Sequence, residues 1–159
     1  MTNEQEELIT NWIEDAQILL TCHLSMAEST RRKHRNIGIL SAVLSAIVGS
    51  SIFASLGQDN TDRTLVVLTG LISLIATILT SVLAFLKLPE IANQYHNSGN
   101  DYAAIRKELE FLLLFKTDDN KQVENEIKRL KIKWDDIRKN SIPISIKTIE
   151  KFNKESKNS

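Results

Sequence analysis

Few side chains in this 159-residue chain have a type and spacing that could do chemistry. The histidines His23, His34 and His96 lie far apart, and no carboxylate or cysteine stands at metal-ligand spacing from any of them, so metal catalysis has no support. Glycines occur only at 38, 49, 57, 70 and 99, too scattered to write a phosphate-cradling loop or a dinucleotide fingerprint. Serines are plentiful, yet none sits in a strand-turn-helix setting that would expose a nucleophile. The lone Cys22 can form no internal disulfide; it reads as a small buried residue and fits a reducing compartment. What remains is a pattern of hydroxyls inside apolar sequence. At about 100° per residue, Gly70, Ser73, Thr77, Thr80, Ser81 and Ala84 share one helical face, while Ile72, Ile75, Leu79, Val82 and Leu83 point away. Upstream, Gly38, Ser41, Ala42, Ser45 and Gly49 repeat it. Such faces do one of two things. They let membrane helices pack closely, each hydroxyl bonding to the preceding turn, or they surround water as the wall of an ion path. Both readings stay open, and because one hairpin cannot enclose a pore, the second requires an oligomer. No enzyme activity and no cofactor is expected.

The elements that must position these groups are two uncharged stretches, Asn36 to Gln58 and Thr64 to Leu86, each 23 residues long and separated by Asp59 to Arg63. As helices each reaches roughly 35 Å, against a hydrocarbon core of about 30 Å. A hairpin buried in a soluble core would need this short chain to cover two helices that are apolar all round. The pattern therefore predicts a transmembrane hairpin, with spans at 36–58 and 64–88 around an outside loop at 59–63. Arg31, Arg32, Lys33 and Arg35 precede the first span, and Lys87 and Arg106 follow the second, while the loop holds only Arg63. By the positive-inside rule both termini are cytoplasmic. The same four cations could instead form a charged ring at the inner mouth of an assembled pore; the topology signal is the simpler reading.

Hydrophobic residues make up 42% of the chain, but they concentrate between Ile37 and Leu88, and the 20 basic and 20 acidic residues cancel. No excess charge points to nucleic acid, and Lys121 to Lys139, with seven basic and four acidic residues, is an ordinary solvated helix face. A cleaved leader is not expected, because the first apolar run follows 36 residues that include six acidic ones. Residues 1–35 form an amphipathic helix with Leu8, Trp12, Ala16, Leu19, His23 and Met26 on one stripe, able to run unbroken into the first span. His23 on that stripe reads as a packed core residue rather than a ligand. Its partner is expected after the second span, in residues 89–159. There Pro89 opens a new helix or kinks the old one, and His96 to Asn100 reads as a break before Asp101 as an N-cap. Tyr102, Ile105, Leu109 and Leu112 mark the next helical face. Thr117 to Asn120 make a loop, and Val123, Ile127, Leu130, Trp134 and Ile137 form a coiled-coil-like seam. Ser141 to Ser145 is extended around Pro143, a short helix carries Ile146, Ile149 and Phe152, and the tail from Asn153 frays. The fold class is thus an all-α membrane protein: a two-transmembrane hairpin with a cytoplasmic helical bundle of N- and C-terminal helices, one unit over 1–159.

This order, with the run Tyr95-His96-Asn97-Ser98-Gly99-Asn100-Asp101-Tyr102-Ala103-Ala104-Ile105-Arg106-Lys107-Glu108-Leu109-Glu110 and, later, Trp134-Asp135-Asp136-Ile137-Arg138-Lys139-Asn140-Ser141-Ile142-Pro143-Ile144-Ser145, resembles the SLATT domain over nearly the full chain. His96, Tyr102, Arg106, Leu109 and Pro143 fill the places of that family's pattern. The resemblance implies a two-transmembrane effector of bacterial conflict systems, associated with SMODS nucleotidyltransferases and SLOG sensors. Such an effector would sit in the inner membrane and, on a nucleotide-linked or phage cue, oligomerise and form a pore or disrupt the bilayer, causing cell death or arrest. The sensor would be a separately encoded protein. His96, Tyr102 and Arg106 would then be a gate or ligand contact beside the membrane, or a packing cluster with Trp12 or Trp134. Two alternatives stand beside the effector: a non-conducting anchor or scaffold for a cytoplasmic partner, and a holin-like lysis protein.

Overall fold

The computed structural model describes residues 1–55, 63–115 and 120–157, and within them the chain is helical without a strand. Five helices follow in order: α1 (Asn3–Ser55), α2 (Arg63–Leu86), α3 (Leu88–Leu114), α4 (Asn120–Asn140) and α5 (Ile146–Lys157). A reciprocal capping box opens α1: the Gln5 amide donates to Thr2 Oγ1 at 3.3 Å, and the Thr2 amide donates to Gln5 Oε1 at 2.9 Å. With no proline and no glycine before Gly38, nothing interrupts α1, and the polar N-terminal segment and the first apolar stretch are one helix. The end of that stretch, 56–58, and the expected outside loop lie outside the described residues, except Arg63, which opens α2. Thr117 to Asp119 of the other expected loop also lie outside them, and Asn120 begins α4.

Between α2 and α3, Lys87 adopts φ 44°. Its carbonyl accepts the first two α3 bonds, from Glu90 N at 2.9 Å and Ile91 N at 3.2 Å, so Lys87 is the cap and Pro89 sits in the first turn, where a missing N–H costs nothing. A left-handed lysine costs roughly 1–2 kcal/mol.

Two compact units result: Met1–Glu28 with Ala92–Ser159, and Ser29–Ile91. The first is a helical bundle around Ile9 of α1, Tyr102, Ile105 and Leu109 of α3, and Leu130 and Ile137 of α4. Trp12, Ile13, Leu19, Leu20, Ile127 and Trp134 pack against this core. Along α4, Val123, Leu130 and Ile137 are buried, one side of the expected seam. On α1 the buried line runs through Ile9, Ala16, Cys22, His23 and Ala27, and Leu8, placed on the stripe by spacing, is exposed. Across α3 and α4, Glu108 accepts from Lys133 Nζ and pairs with Arg129 at 3.3 Å. The Lys133 hydrogen bond, ahead of the other cations, holds its carboxyl below the usual carboxylate range.

The expected break at His96 to Asn100 is absent: α3 runs unbroken from Leu88 to Leu114. Gly99 costs about 1 kcal/mol of helix propensity relative to Ala, but it is buried where α3 meets α1. A Cβ there would fall 2.9 Å from Leu24 Cδ2 and 3.1 Å from Leu24 Cγ. Glycine here serves close approach, and the packing it permits offsets the propensity. Beyond α4, residues 142–145, which hold Pro143, are non-helical. Ser145 caps α5, accepting from the Thr148 amide at 3.3 Å, and α5 continues to Lys157 past the point where fraying was expected, its sequence holding no proline or glycine.

Candidate functional site

In the second unit, α2 shows water or lipid a surface of large apolar side chains: Val66, Val67, Leu68, Leu71, Leu74, Ile75 and Ile78 are all more than half exposed. The helical run Val66–Leu114 contains a window long and apolar enough to cross a membrane, with 6% of it buried. Among the described residues it is the one such helix.

The expected small, hydroxylated face divides into three parts. Ser41 and Thr80 join the helices, their hydroxyls 2.7 Å apart across a half-buried contact. Because Thr80 gives its proton to the Ala76 carbonyl at 2.9 Å, Ser41 is the donor. Ser45, Ser73, Thr77, Thr80 and Ser81, with Val48 and Ala76, line an open groove of about 320 Å³. There Thr77 donates to the Ser73 carbonyl at 2.8 Å and Ser81 to the Thr77 carbonyl at 2.9 Å, so both protons are satisfied and acceptor lone pairs face the groove. Among the described residues Gly49 and Gly70 meet nothing within 4 Å of where a Cβ would lie, and Ala84 is exposed. Arg31, Arg32, Lys33 and Arg35 are all exposed on α1, and at 100° per residue they spread around the helix rather than along one face.

In the first unit, His96, Tyr102 and Arg106 do not converge. His96 stands six residues before Tyr102, about 240° around the helix, and is half-buried. Arg106 pairs with Glu110 at 2.7 Å and donates to Gln17 on α1. Tyr102 is buried, and the histidine beside it is His23, stacked at a centroid distance of 5.4 Å. Tyr95 also tilts against His23 at 5.9 Å. Trp134 meets Tyr102 edge-on at 5.7 Å and stacks on Trp12 at 6.2 Å. The result is a continuous ring line through α1, α3 and α4, each pair worth about 0.5–1.5 kcal/mol beyond its buried area.

His23 and Tyr102 also form part of the wall of a cleft of about 720 Å³, closed on other sides by Asp15, Trp134, Arg138, Lys139, Ser141, the Pro143 segment and α5. His23 is 2% exposed, and its Nδ1 has no hydrogen-bond partner among the described residues. Burial pushes the His23 imidazole below its usual pKa, so it is neutral. Burial pushes the Tyr102 phenol up, opposed by the Ser141 hydroxyl and by Arg138. It also raises Asp15, helped by Glu14. Sequence spacing placed His23 and Tyr102 on apolar stripes; only the approach at Gly99 could pair them.

This burial predicts a pH dependence. Above the ordinary histidine value of 6.5 both folded and unfolded chains hold a neutral imidazole, and stability is full. As pH falls below it the unfolded chain takes up a proton that the folded chain resists, so stability declines toward the depressed folded value. Chemical unfolding at pH of about 7.5 and 5.5 should show lower stability at the acid end, and His23→Phe, which keeps the stack, should shrink the difference. An unchanged difference in the variant would assign the effect elsewhere.

Among the described residues no three His, Cys, Asp or Glu side chains cluster as metal ligands. Neither the curated proteins nor the solved structures offer a match to the chain. A family model, by contrast, matches residues 18–149, taking in both apolar stretches, the rings of His23, Tyr95, Tyr102 and Trp134, and the Pro143 segment. The chain belongs to SMODS and SLOG-associating 2TM effector domain family 4, one of the SLATT families.

Proposed function

We propose that this chain is a non-enzymatic effector of a bacterial anti-phage or conflict system that crosses the inner membrane twice, with α1 and α2 as the spans and both termini in the cytoplasm. Copies assemble in the bilayer and, when a separately encoded nucleotide-signalling or sensor protein is triggered, open a path or disrupt the membrane, arresting or killing the cell. Nucleic acid plays no part. The observation that carries this reading is the groove of hydroxyls, set on helices whose remaining surface is exposed and apolar. Family membership supports the effector role, and the cations at Arg31 to Arg35, set against the single Arg63, support the orientation.

The test is membrane potential, followed with a voltage-sensitive dye in bacteria induced for the wild-type chain or for Thr77→Leu at matched membrane levels. Thr77 is exposed and bonds only within its own helix, so leucine leaves the hairpin intact while it removes a hydroxyl from the groove. Depolarisation by the wild type that disappears in the variant is the expected result. Absence of depolarisation, even with the neighbouring sensor and its trigger supplied, would replace the path with a non-conducting anchor or scaffold.

A further inference from the structure

The cleft of the first unit has a chemistry that the membrane reading does not use. About half of its lining is aliphatic, from Ile18 and Leu19 of α1 through Ile142, Pro143 and Ile144 to Ile146 and Ile149 at α5. At about 720 Å³ it lies in the size range of small-molecule sites, which are apolar with a few fixed polar groups. The rest is polar or aromatic, and its charge comes from Asp15, Arg138 and Lys139. His23 contributes to the wall with a side chain 2% exposed, its Nδ1 buried without a hydrogen-bond partner among the described residues.

Charge narrows the class. Three other cations of α4 are paired with carboxylates: Lys128 with Glu124 at 2.6 Å, Arg129 with Glu126 at 2.8 Å, and Lys133 with Glu108. Arg138 and Lys139, the two cations that line the cleft, meet no carboxylate within ion-pair distance among the described residues. On the last turn they also complement the helix carbonyl ends, but that role does not require both to line a cleft. Asp15 is the one acidic residue on the same wall, leaving an excess of positive charge. Adjacent Arg and Lys suit a phosphate group, which accepts several charge-assisted hydrogen bonds at once.

We infer that this cleft binds a small organic phosphate, with its apolar or aromatic body against the isoleucines and Trp134 and its phosphate on Arg138 and Lys139. Two sources share that chemistry, a nucleotide and a short lipid-like phosphate. The site is independent of whether the membrane helices open a path, so its failure leaves that reading standing.

Calorimetric titration of the full chain in phosphatidylcholine nanodiscs tests it, with adenosine monophosphate, hexyl phosphate and inorganic phosphate as probes. Saturable binding of either organic phosphate, at least tenfold tighter than inorganic phosphate, is expected, and the probe that binds identifies the source. The double variant Arg138→Gln/Lys139→Gln, altering two exposed residues, should weaken binding at least tenfold, and Asp15→Asn should tighten it. Near-ultraviolet circular dichroism of the Trp12 and Trp134 pair confirms that each variant retains the bundle. The inference is overturned if neither organic phosphate binds, if inorganic phosphate binds equally well, if the double variant binds like the wild type, or if Asp15→Asn weakens binding.

Discussion

Truncating Leu109 to alanine is expected to destabilise the first unit by about 2–5 kcal/mol, the range for removing a fully buried leucine from a packed core. Leu109 is 0% exposed and belongs to the cluster that joins α1, α3 and α4 through Ile9, Ile105, Leu130 and Ile137. Its removal leaves a cavity that three helices would have to collapse together to fill, and rigid helices joined through a common core do that poorly. Ile132→Ala is the matched control. Ile132 lies on α4 but is 71% exposed, so its truncation should change stability by less than about 0.5 kcal/mol. Chemical unfolding followed by the near-ultraviolet signal of the Trp12 and Trp134 stack reads this unit specifically. Equal effects from the two variants would mean that α3 and α4 pack through other faces.

The contrast between Leu109 and Gly99 shows which parts of the fold were legible in the sequence. Leu109 sits on a face with Tyr102 and Ile105 at helical spacing, and that face is the buried one. Val123, Leu130 and Ile137 followed from the same periodicity, and the end of helix before residues 142–145 followed from the restriction that Pro143 imposes on its predecessor. Gly99 did not yield to local reasoning. Ser98, Gly99 and Asn100 are poor helix formers, and the residue that makes the helix worthwhile, Leu24, is 75 positions away in sequence. Within the candidate site, Tyr102 meets Trp134 as one of the expected alternatives had it, but its histidine neighbour was hidden for a related reason. His96 is close to Tyr102 in sequence but on another helical face, whereas His23 is distant in sequence and stacked on it. Spacing along a chain assigns a residue to a face. Which face it meets is decided by packing between helices, and the Ser41 to Thr80 bond shows this in the second unit too, selecting two hydroxyls from a face on which spacing made all equivalent.

Leu74→Arg should drive the chain out of the membrane, and its sign separates a membrane helix from any soluble alternative. Leu74 lies near the middle of α2 and is 58% exposed. If α2 is surrounded by water, arginine at so exposed a site relieves an apolar patch, and soluble yield rises with no loss of fold. If α2 is surrounded by lipid, a guanidinium near the helix centre adds about 2.5–3.5 kcal/mol to insertion, on the order of a hundredfold in the insertion equilibrium. The midpoint of a 24-residue helix is about as far as a side chain can be from either interface, so snorkelling recovers little of this cost. Arg63→Lys at the start of α2 keeps the charge where a charge already stands and should leave insertion unchanged. Alkaline extraction of membranes, followed by quantifying the chain in pellet and supernatant, reads the difference. Loss of Leu74→Arg from the pellet, with Arg63→Lys retained, is the expected pattern. Retention of both at wild-type levels would mean that the exposed apolar surface of α2 is covered by protein rather than lipid, and the hydroxyl groove beside it would then be a packing surface with no path to line.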